Sequence, residues 1–205
     1  MHKLKIRVFV IILVLSLPVV FLQAQETDKL VILHTDYGDI KLLLFDETPK
    51  HKKNFLRLAE AGVYNHILFH RVIDDFMIQS GDFTTRNQPI DYDPTIIQST
   101  IPAEIIPGFV HKRGAIGAAR RGKERNPELR SSGSQFYIIQ SCTGAHHLDE
   151  KYTVFGQVMS GMEVVNEIAK VPVDERDRPL EPIRMTVEVL EVSRESVEIF
   201  YNFRY

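Results

Sequence analysis

Two polar side chains stand where a strand pattern calls for apolar ones. The stretch FHRVIDDFMIQSGDF spans residues 69–83. Phe69, Val72, Ile73, Phe76, Met77, Ile78 and Phe83 are apolar and Asp74-Asp75 is a turn signal, so it reads as two short strands about a turn. Arg71 and Gln79 interrupt these runs. A guanidinium is always charged and carries five donors, while an amide both donates and accepts. Further along, HKRGAIGAARRG (111–122) ends a Gly/Ala-rich strand in Ala119-Arg120. SSGSQFYIIQ (131–140) sets Gln135 near Tyr137, and HHLDEKYTVFG (146–156) brings His147, Leu148 and Tyr152. Donors and apolar walls recur, and nothing among them resembles an activated nucleophile.

Other chemistries have weaker support. His146-His147 with Asp149 and Glu150 matches no zinc spacing. RRGKER, residues 120–125, is a short basic run in an otherwise acidic chain and reads as a solvated loop. Ser131, Ser132 and Ser134 lie in a Gly/Ser turn without the G-x-S-x-G elbow of a serine hydrolase.

FHRVIDDFMIQSGDF, SSGSQFYI and LDEKYTVFGQVMSGMEVV together resemble the cyclophilin family of peptidyl-prolyl isomerases, over roughly residues 30–192. The resemblance implies a mainly β fold: an eight-stranded antiparallel closed β-barrel capped by two α-helices, with the active groove on its outer surface. It implies Arg71 as the catalytic residue, oriented by Gln79. Phe76, Met77, Tyr137 and Leu148 would line the proline pocket. Ala119, Arg120 and Gln135 would hold the peptide backbone before the proline, with His147 and Tyr152 completing the groove. There are departures. His147 stands where many members have Trp or Phe, which bears on binding of the inhibitor cyclosporin. Tyr152 stands in place of His, a variant also seen in bacterial members, and Tyr137 in place of Phe. QPIDYDPTIIQSTIPAEIIPG replaces a Gly-rich loop and bears on substrate preference.

The residue types suit that reaction. Rotation about an X-Pro bond is opposed by amide resonance, a barrier of roughly 20 kcal/mol. In the twisted transition state the prolyl nitrogen regains its lone pair. A donor aimed there helps only in that state, which is the condition for raising the rate. No nucleophile, metal or cofactor is needed, and none is expected.

The surrounding elements must position these groups. DKLVILHTDYGDIKLLLFDET (28–48) alternates about Tyr37-Gly38-Asp39 and reads as a β-hairpin. TPKHKKNFLRLAEAG (48–62) reads as a helix with Thr48 as N-cap, Pro49 in the first turn and Gly62 at the stop. Phe55, Leu58 and Ala59 form its apolar stripe. GMEVVNEIAKV (161–171) is a second helix. Strands are expected near 67–73, 76–83, 114–119, 134–140, 153–158 and 183–192. Many short strands with two helices argue a closed or nearly closed antiparallel barrel. Residues 84–112 read as a long ordered loop, and the aromatic tail after residue 192 as either a final strand or a free end.

The whole is 205 residues, 44% hydrophobic and 25% charged, which fits one globular domain at 25–205. The first 24 residues stand apart. Lys3, Lys5 and Arg7 precede an apolar run of about 15 residues and then Gln23-Ala24-Gln25, the layout of a secretory signal peptide. Cleavage after Ala24 would leave 22 basic against 27 acidic residues, a net charge of −5. An uncleaved membrane anchor is the alternative. The expected protein is exported and periplasmic, a monomer that acts on proline-containing unfolded or partly folded polypeptides, without nucleic acid and without stable membrane insertion once cleaved. Cys142 is the sole cysteine, excludes an internal disulfide, and is expected as a small buried residue at a strand end. Two rivals differ in class: a module of the same fold that holds proline segments as a chaperone or scaffold with little turnover, and a hydrolase.

Overall fold

In the computed structural model, residues 26–201 and 203 are described; the expected signal peptide lies outside them. Alternation builds the first hairpin, β1 (Thr27–Thr35) and β2 (Gly38–Leu44), with Thr35 opposite Gly38 at the turn. Val31 and Leu33 face the interior with Ile40, Leu42 and Leu44. Leu30 and Ile32 point the other way and are also buried, with Leu43 and Val197.

The helix α1 (Pro49–Glu60) follows, burying Phe55, Leu58 and Ala59. Phe55 packs against Tyr64, Phe136 and Phe155 with ring centroids 4.8, 5.3 and 5.9 Å away. Its start differs from expectation. The Thr48 hydroxyl donates to the Phe45 carbonyl and makes no cap. Glu104 supplies the cap from a distant loop: its carboxylate accepts the N–H groups of Lys50 (3.1 Å) and His51 (3.0 Å) and binds His51 Nδ1 at 2.6 Å. A carboxylate there also complements the positive end of the helix dipole.

Next come β3 (Ile67–Leu68), β4 (Arg71–Ile73), β5 (Met77–Ser80) and the short β6 (Thr100–Ile101). After them lie β7 (Ala115–Ala118), β8 (Ser131–Ser132), β9 (Phe136–Ile139) and β10 (Val154–Ser160). The chain closes with α2 (Met162–Ala169), β11 (Arg184–Ser193) and α3 (Arg194–Tyr201). Nine strands form one curled antiparallel sheet in the order β3-β11-β1-β2-β10-β7-β9-β5-β4, and β6 pairs with β8 separately.

Among the described residues the main sheet therefore has nine strands, and there are three helices, where eight and two were expected. The extra strand arises because the segment 67–73, read as one strand, divides at Phe69-His70. Its first half pairs with β11 and its second with β5. The Phe69 N–H goes to Ile183 O at 2.9 Å and the His70 N–H to Gln79 O at 3.1 Å. One stretch of chain thus holds both ends of the sheet, although β3 and β4 do not pair with each other.

The extra helix is the tail. Neither strand nor free end, α3 buries Val197 over the outer face of β1 and β2, which is why Leu30 and Ile32 are covered. The long loop carries a 3-10 turn at Pro94–Ile96 as well as β6. Gln98 O lies 1.6 Å from where a Cβ on Gly133 would sit, so only glycine allows the loop to pass. Cys142, expected to be buried, is exposed in the turn after β9.

Candidate active site

Strand register creates a row of side chains on one face of the sheet. Arg71 is opposite Gln79, Gln79 opposite Tyr137, and Tyr137 opposite Gly117. Directly opposed residues share a face and sit within about 5 Å at Cβ. Their neighbours Val72, Ile78, Ile138 and Ile116 point inward to the main core. The outer face carries a second apolar cluster: Met77, Ala115, Tyr137, Ile139, Ala145 and Val154, with Phe76, Leu148 and Tyr152 against it. A guanidinium and an amide therefore stand beside an apolar floor.

Over this floor runs a groove of about 960 Å³. Arg71, Phe76, Met77, Gln79, Ala119, Arg120, Gln135, Tyr137, Leu148 and Tyr152 all line it. His147 does not. It sits exposed on a 3-10 turn, His146–Leu148, with its ring 5.5 Å from that of Phe76. It buttresses the rim from outside because the turn aims Leu148, not His147, into the groove.

Arg71 is about 42% exposed, so its guanidinium faces the groove. The orienting contact expected from Gln79 comes from Asp177: Arg71 Nε lies 3.3 Å from Asp177 Oδ2. The Asp177 carbonyl also accepts the Val72 N–H at 2.8 Å, fastening the same residue to β4. Asp177 sits in a tight turn in which Asp174 Oδ1 accepts the N–H groups of Arg176 and Arg178. The Gln79 amide instead donates to Gln135 Oε1 at 3.1 Å and reaches His70 Nε2 at 3.5 Å. Burial pulls the His70 pKa down, so its neutral ring can accept. Gln79 thereby fixes the orientation of Gln135, whose carbonyl accepts the Ala119 N–H at 3.0 Å.

Tyr137 has its own support. A Cβ on Gly117 would lie 2.2 Å from the Tyr137 ring, so the ring occupies space that only glycine leaves. The hydroxyl lies 2.9 Å from His111 Nε2, and His111 Nδ1 lies 2.8 Å from Asp149 Oδ1. Burial opposes charge on Asp149. The His111 N–H and the rings of His146 and His111 outweigh it and bring the carboxyl pKa down to about 2. Burial also holds the His111 pKa below its ordinary value. An ionised Asp149 accepts from Nδ1–H of a neutral imidazole, so Nε2 accepts the Tyr137 O–H. The hydroxyl proton thus points away from the groove. Tyr152 meets Tyr137 edge-on at 6.4 Å, and Arg120 lies 4.3 Å over the Tyr152 ring.

Asp177, Gly117, His111 and Asp149 carried no local signal of a role in the site. The paired histidines and acids noted in the sequence resolve differently: Asp149 binds His111 and His146 through separate oxygens.

Residues 30–189 match the family model described as cyclophilin type peptidyl-prolyl cis-trans isomerase/CLD. A peptidyl-prolyl cis-trans isomerase-like 2 of Rhizopus delemar is 41% identical over 153 residues, 74% of this chain. The match spans only 27% of that longer relative. A peptidyl-prolyl cis-trans isomerase-like 3 of Homo sapiens is 40% identical over 158 residues, covering 76% of this chain and 91% of the relative. A crystal structure of a Cryptosporidium parvum cyclophilin type isomerase superposes with TM-score 0.68 at 30% identity, over 82% of this chain and 99% of that one. The same protein in the presence of the dipeptide Ala-Pro gives 0.67.

Proposed function

The chain belongs to the cyclophilin-type peptidyl-prolyl cis-trans isomerase family, and from that premise we propose that Arg71 is the residue through which it isomerises X-Pro bonds. The proline ring would seat against Phe76, Met77, Tyr137 and Leu148. Gln135 and the 119–120 backbone would hold the preceding residues in extended form. With the peptide so fixed, rotation brings the pyramidalising prolyl nitrogen towards the guanidinium. The apolar floor lowers the local dielectric and strengthens that charged hydrogen bond. Asp177 holds the Nε edge, so the terminal N–H groups of Arg71 remain for the substrate. Atoms balance trivially, since no covalent bond is made or broken.

The observation that carries this reading is the row Arg71–Gln79–Tyr137, which sets a half-exposed guanidinium beside an apolar pocket in one groove. The substrates are proline-containing peptides. We further read residues 1–24 as an export signal, and the protein as a periplasmic monomer that assists folding of unfolded or partly folded chains in the cell envelope.

The experiment follows cis-to-trans relaxation of a short X-Pro peptide with residues 25–205 and with Arg71→Ala. Acceleration should fall by on the order of 10²-fold in the variant. An Arg71→Ala protein as fast as the wild type would reject the assignment. N-terminal sequencing of the protein recovered from the periplasmic fraction tests the export reading: a chain still beginning at Met1 would contradict it.

A further inference from the structure

The groove does not end at the proline pocket. Along the wall at 120–130 it gathers Arg120, Arg121, Arg125 and Arg130. The chain overall is mildly acidic, with 27 acidic against 25 basic residues, so the concentration is local. Some cations elsewhere are tightly paired: Asp46 meets Lys52 and Arg194 at 2.7 Å each, and Asp91 meets Arg86 at 2.8 Å. The groove wall is different. Arg130 has Glu128 only at 3.8 Å, and its Nε donates to Thr100 Oγ1. Arg120 lies over Tyr152 with a buried Nε that has no protein partner. No acid lies within ion-pair distance of Arg121 or Arg125 among the described residues. Among the described residues lining the groove, Asp82 is the one carboxylate and already accepts from the Thr84 N–H and hydroxyl through a single oxygen; Asp177, behind Arg71, is paired with it.

We infer that this groove selects proline segments that carry an aspartate or glutamate two to four residues before the proline. The inference rests on the isomerase reading and names the substrate class of that same site. Its register follows from β9. Gln135 precedes Tyr137 by two residues, about 7 Å at strand rise, or two residues of an extended peptide. Ala119 is bonded to Gln135, and the arginines begin at the next position. With the proline on Tyr137 and the upstream backbone on Gln135, the following side chains reach the guanidinium wall. A carboxylate there gains several donors at once in a concave site, where fields are focused. A polynucleotide would leave the adjoining apolar pocket empty, so one acidic peptide fills the groove better.

The test compares kcat/KM for peptides that differ only in Glu, Ala or Lys three positions before the proline, with the same residues three positions after it as controls. Glu over Lys should favour turnover about tenfold at low salt, as expected for several partly exposed charge pairs. The preference should shrink towards unity as salt rises and screening sets in. It should invert in Arg121→Glu/Arg125→Glu. Equal rates for all peptides, a preference confined to the position after proline, or an unchanged preference in the double variant would each overturn the inference while leaving the isomerase intact. A single-stranded oligonucleotide that competes more strongly than the Glu peptide would overturn it in favour of nucleic acid. Loss of acceleration on every peptide would instead strike the isomerase reading.

Discussion

Tyr137 lies in the space that a side chain on Gly117 would need. A Cβ built there falls 2.2 Å from the ring and 2.4 Å from the hydroxyl oxygen. The phenol at the pocket floor and the glycine one strand away are therefore a matched pair. Since Tyr137 is nearly buried and bonded to His111, it has little room to yield.

Gly117→Ala should then destabilise the fold by about 1–3 kcal/mol through overpacking and lower turnover by displacing the pocket floor. In a Tyr137→Ala background the same change should cost much less. Chemical denaturation of the four proteins measures the coupling. Additive effects would show that the pair is incidental.

Asp177→Asn should leave stability nearly unchanged, since its ion pair with Arg71 is about 40% exposed on both sides and such pairs contribute at most about 1 kcal/mol. Activity should fall several-fold, less than in Arg71→Ala, because the guanidinium remains but is no longer held. In an Arg71→Ala background Asp177→Asn should have no further effect on rate. A further drop there would mean that Asp177 acts independently of Arg71.

Removing the distant cap should loosen α1. Glu104→Ala leaves the Lys50 and His51 N–H groups without their acceptor and should cost about 1–2 kcal/mol in urea denaturation. Glu104→Gln should be intermediate, retaining an acceptor without the charge. A Thr48→Ala change, by contrast, removes no cap. If Thr48→Ala proved the costlier of the two through helix fraying, the assignment of the cap would be wrong.

Acid should destabilise the protein from near neutrality. Burial lowers the folded-state pKa values of His51, His70 and His111 from the ordinary 6.5. Below that value the unfolded chain takes up protons that the folded chain resists, so stability falls as pH drops from 7 towards 5. His34, raised chiefly by its bond to Asp39, works in the opposite direction, one group against three. Thermal melts at pH 7.5, 6.5 and 5.5 should show a falling Tm. His111→Asn should flatten part of that slope. A Tm constant across this range would contradict the neutral assignment of these rings.

Periodicity makes much of this fold legible in the chain itself. Alternation marked the β1–β2 hairpin, and the 55/58/59 stripe with Pro49 marked α1, because both are local properties of the chain. The groove residues came from the family resemblance, which rests on local stretches: Arg71, Phe76, Met77 and Gln79 sit on one hairpin, and Gln135 with Tyr137 at the head of one strand. What failed was long-range or depended on precise turns. Asp177 is 106 positions from Arg71, and no local pattern joins them. Glu104 caps a helix 54 positions away. His147 stands outside the groove because the 3-10 turn His146–Leu148 presents Leu148 to it instead, a detail of turn geometry that a family pattern does not carry. The tail was undecided because Val197 reads as part of a helix only once β1 and β2 are known to leave their outer face open.

The pairing of β1 with β11 has a kinetic consequence. Thr27 faces Ser193 and Thr35 faces Met185, so the first strand and the last lie side by side. Loop closure over such a span is slow to yield contacts, and proteins dominated by non-local pairing fold slowly. A chain emerging from its N-terminus would carry the apolar edge of β1 unpaired until nearly every other element had appeared. Loss of even the last strand would leave that edge open to pairing with another chain.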